Sequence, residues 1–173
     1  GSAATTGWWK AERAGNGMLV FQTSIISPTA LTARWFNAGL TDDPTEGVAL
    51  AMSLTTATWT TTATDAALWG LYSTATYNTH WLGQSVYTNT DDTHIVGGTA
   101  TLDTATALRI EIDSVGNVYW YGGDNSHTNP DYRGVGVTGV SPDVLLCPYI
   151  AAGSTATTAV DIECDYVLVA CAR

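Results

Sequence analysis

The sequence predicts an all-β domain, a two-sheet antiparallel β-sandwich of the jelly-roll kind, and three observations carry that prediction. Apolar and polar residues alternate with a period of two over Leu108–Ile112 and again over Val160–Leu168. Turn chemistry recurs at near-regular intervals, at Ser27-Pro28, Thr41-Asp42-Asp43-Pro44, Asn89 to Thr93, Gly97-Gly98, Gly122 to Gly134 and Ala152-Gly153-Ser154. No stretch carries the 3.6-residue spacing of a convincing amphipathic helix.

Taken in chain order, strands are expected at Gly17 to Ser24, Ala30 to Asn37, Val48 to Leu54, Ala66 to Tyr72 and Trp81 to Val86. The Thr/Ala-rich stretch Thr55 to Ala67 is read as a polar edge strand, since Thr has high β-propensity and Trp59 sits within it. Leu108, Ile110 and Ile112 alternate with Arg109, Glu111 and Asp113, after which Ser114-Val115-Gly116-Asn117 supplies a turn and Val118 to Tyr121 resumes a strand. That is a hairpin. Further strands follow near Val144 to Ile150 and over Val160 to Val169, the last with Asp161, Glu163 and Asp165 on one face and Ile162, Cys164, Tyr166 and Leu168 on the other. Residues 17–173 are taken as the sandwich and 1–16 as an N-terminal segment, a linker or an oligomer contact. Gly1-Ser2 is read as a cloning remnant, which leaves open whether a longer chain preceded it.

Length and composition bound the function. A chain of 173 residues suits one domain with a substantial core. Six Lys plus Arg against 16 Asp plus Glu give a formal charge of −10, which repels phosphate backbones, and the single lysine, Lys10, makes no basic patch. Nucleic acid is excluded as a partner, and so is a membrane, since no apolar run reaches the length of a helical span. The chain is expected to be soluble. Cys147, Cys164 and Cys171 have neither zinc-site nor C-x-x-C spacing, and Cys164 and Cys171 are expected as buried free thiols.

Several segments, in this order, carry a resemblance: Gly39 to Asp43, Thr64 to Ser73, Trp81-Leu82-Gly83, Leu108 to Asp113 with Gly116 to Tyr121, Leu146 to Ile150, and Asp165 to Val169. Over roughly Val20 to Arg173 the chain resembles the concanavalin A-like lectin/glucanase jelly roll, in the form carried by tailed-phage virion proteins. The resemblance implies two packed sheets, one of them concave. It also implies a virion-surface, extracellular setting with a role in decoration, adhesion or glycan binding, and other virion proteins, copies of itself or a cell-surface glycan as partners.

Three groups of residues carry candidate chemistry. Asp161, Glu163 and Asp165, with Glu111 and Asp113 on the other strong strand, are read as a solvated face, a cation site for Ca2+, or a glycosidase pair. The resembled glucanases place Glu-x-Asp-x-Glu on a strand, and the inverted order of acids here fails that match residue by residue. Seven Trp and eight Tyr supply rings for stacking on sugars, with Trp81, Tyr119 and Tyr121 expected at the surface and Trp69 and Trp120 in the core. The loop from Gly122 to Gly134 adds Asp124, Asn125 and His127 as oxygen or nitrogen ligands for sugar hydroxyls. Trp8 and Trp9 are the expected self-association contact. The main expectation is therefore a non-enzymatic virion surface domain, with a carbohydrate-binding module as the alternative and a glycoside hydrolase as a remote one. If the acids hold calcium, the cation raises thermal stability by about 2.7 kcal/mol at a hundredfold excess over its dissociation constant, read as an upward shift in Tm.

Overall fold

A computed structural model describes residues 9–15, 17–27, 32, 34–44, 50–73, 76–122, 132–135, 139–154 and 162–171. The fold is all-β, and two antiparallel sheets face each other as the sequence predicts. Its strands are β1 (Leu19–Ile26), β2 (Arg34–Thr41), β3 (Met52–Thr55), β4 (Thr58–Thr61), β5 (Ala66–Tyr72), β6 (His80–Tyr87) and β7 (Thr90–Asp91). They continue with β8 (Ile95–Thr99), β9 (Ala105–Ile112), β10 (Val118–Gly122), β11 (Tyr132–Val135), β12 (Cys147–Ser154) and β13 (Glu163–Cys171). A five-stranded sheet runs β11-β10-β9-β1-β13, and a six-stranded one runs β12-β2-β5-β6 with β7 and β8 both pairing with β6. The β3–β4 hairpin forms a third, two-stranded sheet.

Strand alternation decides what each sheet buries. Leu19 and Phe21 of β1 stand opposite Ile112 and Ile110 of β9, and all four point into the main core beside Val118 and Trp120 of β10. From the other sheet come Phe36, Ala38 and Leu40, with Ala67, Trp69, Leu71 and Trp81. The Trp69 and Trp120 rings meet edge to face, centroids 5.3 Å apart at 81°, a favoured aromatic geometry. Trp69 also donates its indole N–H across the interface to the Arg109 carbonyl, at 3.2 Å. Gly83 makes room for this pair, because a Cβ there would fall 2.7 Å from Trp120 Cε3.

The six-stranded sheet is covered on its second face as well. Met52 and Leu54 of the hairpin, with Leu50 and Ala51 before it, pack on Ala66, Leu68, Tyr72, Leu82 and Val86. The hairpin is tied down by buried polar groups: Asn37 Nδ2 donates to Tyr72 Oη at 2.8 Å and Asn37 Oδ1 accepts from the Met52 N–H at 3.3 Å. Burial pushes the Tyr72 hydroxyl far above its ordinary pKa, so it stays a neutral hydrogen-bonding group.

Several expectations are corrected here. Trp81 is 1 % exposed, in the core beside Phe36, so the polar run before it does not bring it to the surface. Gly97-Gly98 and Gly153 break nothing, for they lie within β8 and β12. A Cβ at Gly97 would meet Trp69 at 2.9 Å and one at Gly153 would meet Trp35 at 1.9 Å, so these glycines admit rings rather than turns. Trp9 is half-buried against the main core, and its backbone bridges to Leu146 with hydrogen bonds of 3.2 and 2.8 Å, so it packs within its own chain. Cys164 is exposed rather than buried, because β13 is an edge strand. Cys147 is the buried thiol, donating to the Thr41 carbonyl at 3.2 Å.

The cross-sheet ring pair generates a stability prediction. Gly83→Ala is expected to lower unfolding free energy by about 1–3 kcal/mol through overpacking against Trp120, measured by urea denaturation with far-UV and near-UV circular dichroism.

Candidate functional site

With the hairpin covering one sheet and the core filling the interior, the outer face of the five-stranded sheet is the broad sheet face left open among the described residues. Register places Val20 and Gln22 of β1, Arg109 and Glu111 of β9, and Tyr119 and Tyr121 of β10 on that face, with Tyr166 and Leu168 of β13. On β1, β9 and β10 they alternate with buried residues, so the period-two pattern itself projects them outward, whereas β13 has no fully buried residue.

A continuous hydrogen-bonded row crosses four strands. Tyr121 Oη donates to Glu111 Oε2 at 3.2 Å, and Glu111 Oε1 accepts from Arg109 Nε at 2.7 Å and pairs with Nη2. Arg109 Nη1 donates to Gln22 Oε1 at 2.9 Å, and Gln22 Nε2 donates to Tyr166 Oη at 2.6 Å. The Arg109 and Glu111 side chains are 31 % and 15 % exposed, so the row is held against the sheet yet reachable from solvent. At the ~4.8 Å strand spacing, four strands span roughly 14 Å. The row presents donors and acceptors already fixed in direction, flanked by phenol rings.

Asp113 finishes the β9–β10 hairpin beside this row. Partial burial pushes its carboxyl up, but hydrogen bonds from Asn117 Nδ2 (2.8 Å), the Asn117 N–H (2.9 Å), the Val115 N–H (3.0 Å) and Tyr119 Oη (3.3 Å) outweigh that and hold it below the ordinary range. The turn predicted at Ser114 to Asn117 is therefore closed by Asp113, which also orients Tyr119.

The structure brings together Glu111, Asp113, Tyr119 and Tyr121 from the predicted site residues, and adds Gln22, Arg109 and Tyr166. It separates the remaining acids from them. Glu163 and Asp165 lie exposed on β13, and Asp165 is passed over in the β1–β13 register, where Ser24 faces Tyr166 but Ile25 faces Cys164. This bulge throws Cys164 and Tyr166 to opposite faces and breaks the expected single row of carboxylates. Trp8, Asp124, Asn125, His127 and Asp161 lie outside the described residues. Among the described residues no group of three or more His, Cys, Asp or Glu side chains is placed to hold a metal ion, and no helix is long and apolar enough to cross a membrane.

A second set of rings gathers at Trp59 of the β3–β4 hairpin, where the His94 ring centroid stands 6.1 Å from that of Trp59 and 5.7 Å from that of Tyr77, and the Tyr77 centroid 6.1 Å from that of His80. Burial lowers the His94 pKa. These rings come from separate segments, and the scattered spacing of the histidines gave no sign of their meeting.

No family model and no curated protein matches the chain. Among solved structures, it is similar to a carbohydrate-binding module from Bacillus subtilis, at 11% identity and a TM-score of 0.46 over 87% of this chain and 73% of the other. It is also similar to a galectin from Caenorhabditis elegans, at 11% identity and a TM-score of 0.49 over 96% and 92%. Neither similarity assigns a role to any residue of this chain.

The position of Asp113 sets a pH dependence. Because its folded pKa lies below the ordinary 3.8, its contribution to stability is present above that value and is lost as pH falls through the lower, folded one. Asp113→Asn is expected to flatten the acid limb of a Tm-versus-pH curve, with no comparable change at neutral pH in its slope.

Proposed function

We propose that the chain is a carbohydrate-binding module, without catalysis of its own, that takes a neutral oligosaccharide across the outer face of its five-stranded sheet. The observation that carries this reading is the four-strand row Tyr121–Glu111–Arg109–Gln22–Tyr166. A sugar hydroxyl is donor and acceptor at once, so it is best met by planar groups of both kinds side by side, and Arg, Glu and Gln supply them. Tyrosine rings offer an apolar face for the C–H side of a pyranose and a hydroxyl at the rim. Pre-formed hydrogen bonds within the row reduce the ordering cost of binding.

Charge narrows the ligand. Arg109 and Glu111 neutralise each other, and the chain as a whole carries −10, which disfavours uronic or sialylated glycans and favours neutral ones. Glu111 is committed to Arg109 and Tyr121, an arrangement that supports holding a ligand rather than protonating a leaving group. A virion setting, implied by the resemblance in sequence, is compatible with this reading and is not required by it.

The test is a glycan array followed by titration calorimetry on the saccharide it selects. Tyr121→Ala and Tyr166→Ala are each expected to weaken binding about tenfold or more, about 1.4 kcal/mol, at unchanged Tm. Tyr121→Phe keeps the ring and removes the hydroxyl that donates to Glu111, so it falls between. Undiminished affinity in both alanine variants would remove the site from this face.

A further inference from the structure

We infer that the ligand of this face is an internal stretch of an unbranched, extended β-1,4-linked polysaccharide, laid across the strands with one sugar ring to each. The inference rests on the carbohydrate-binding reading above and names the kind of chain. Register sets its direction. Leu168 of β13 stands opposite Gln22 of β1, Gln22 opposite Arg109 of β9, and Arg109 opposite Tyr121 of β10. These side chains make one straight row at right angles to the strands, one member per strand, and the Arg109–Gln22 hydrogen bond lies along it.

Exposure follows the same direction. Leu168 is 45 % exposed at one end of the row and the Arg109 side chain 31 % in its middle. One step along β1 and β9, Ser24 and Ala107 share the outward side, yet they are 1 % and 0 % exposed and offer a ligand nothing to touch. A glycan running along these strands towards them leaves the accessible groups at once. One that crosses the strands meets a new side chain at every step.

Spacing selects the glycan. Neighbouring strands lie ~4.8 Å apart, and rings joined by equatorial β-1,4 bonds succeed one another at nearly that interval, because each bond enters and leaves its ring on opposite sides and keeps the chain straight. Such a chain stays in step over all four strands. An α-1,4 chain coils instead, and its later rings turn away from the sheet. The row suits the straight chain chemically as well: Leu168 and the Tyr121 ring meet C–H faces at its two ends, while the Gln22 amide and the Arg109 guanidinium take hydroxyls between them. In a chain longer than four rings both ends fall beyond the row, so recognition does not depend on them.

Titration calorimetry of the full chain tests this with β-1,4-linked oligosaccharides of glucose, xylose and mannose, from one unit to six, beside an α-1,4-linked glucose series. At least one β-linked series is expected to bind, its affinity rising about tenfold or more from two units to four and level beyond. Capping both ends of the hexasaccharide, as methyl ether and methyl glycoside, is expected to leave that affinity unchanged. Leu168→Ala is expected to bring the plateau down to three units. Affinity complete at one or two units, loss on capping, preference for the α-linked series, or no binding in any β-linked series would overturn the inference. The first three leave the face itself as the binding site wherever Tyr121→Ala still weakens binding. Binding that neither Tyr121→Ala nor Tyr166→Ala diminishes would remove the carbohydrate reading of this face instead.

Discussion

The structure depends on one contact between its sheets, the edge-to-face pair of Trp69 and Trp120 seated over Gly83 and Gly97. The pair spans the gap between layers, and two glycines without side chains let the indoles lie flat where any Cβ would hold them off. Trp69 then reaches across to the Arg109 carbonyl. One residue is thereby gripped from inside by its backbone while its guanidinium stands on the opposite surface. Because a strand alternates, seating Ile110, Ile112 and Trp120 inward commits Arg109, Glu111, Tyr119 and Tyr121 to point outward.

A second constraint makes the two sheets unequal. The six-stranded sheet is apolar on both faces, and the β3–β4 hairpin with its Asn37–Tyr72 hydrogen bond closes the far side. Among the described residues the five-stranded sheet has no such cover over Gln22, Arg109 and Glu111. Polar side chains there meet one another across strands instead of meeting a third layer, and the result is a flat lattice of fixed donors and acceptors. Asymmetry of covering, more than any single residue, is what distinguishes the proposed ligand face from the structural one in this molecule.

Much of this was legible in the residues. Alternation from Leu108 to Ile112 and from Val118 to Tyr121, with a turn between, located the hairpin that carries the densest part of the site. Gln22 and Tyr166 were not legible as site members, because they are 144 residues apart and meet only through the β1–β13 register. Trp81 misled because polar neighbours in sequence say little about a residue whose own strand is buried on both sides. The glycines of β8 and β12 misled for a related reason: a glycine that ends a strand and one that receives a tryptophan ring look alike until the ring is placed. The bulge at Asp165 defeated the count of carboxylates per face, since a single passed-over residue inverts the parity of everything beyond it.

The most direct test of the central claim is an 1H–15N NMR titration of the full chain with an oligosaccharide chosen by array screening. The amides of Gln22, Arg109, Glu111, Tyr121 and Tyr166 are expected to shift together along one saturation curve while those around Trp59, Tyr77 and His94 stay in place. Shifts confined to the Trp59–Tyr77–His94 rings, with the five-stranded sheet unmoved, would contradict it.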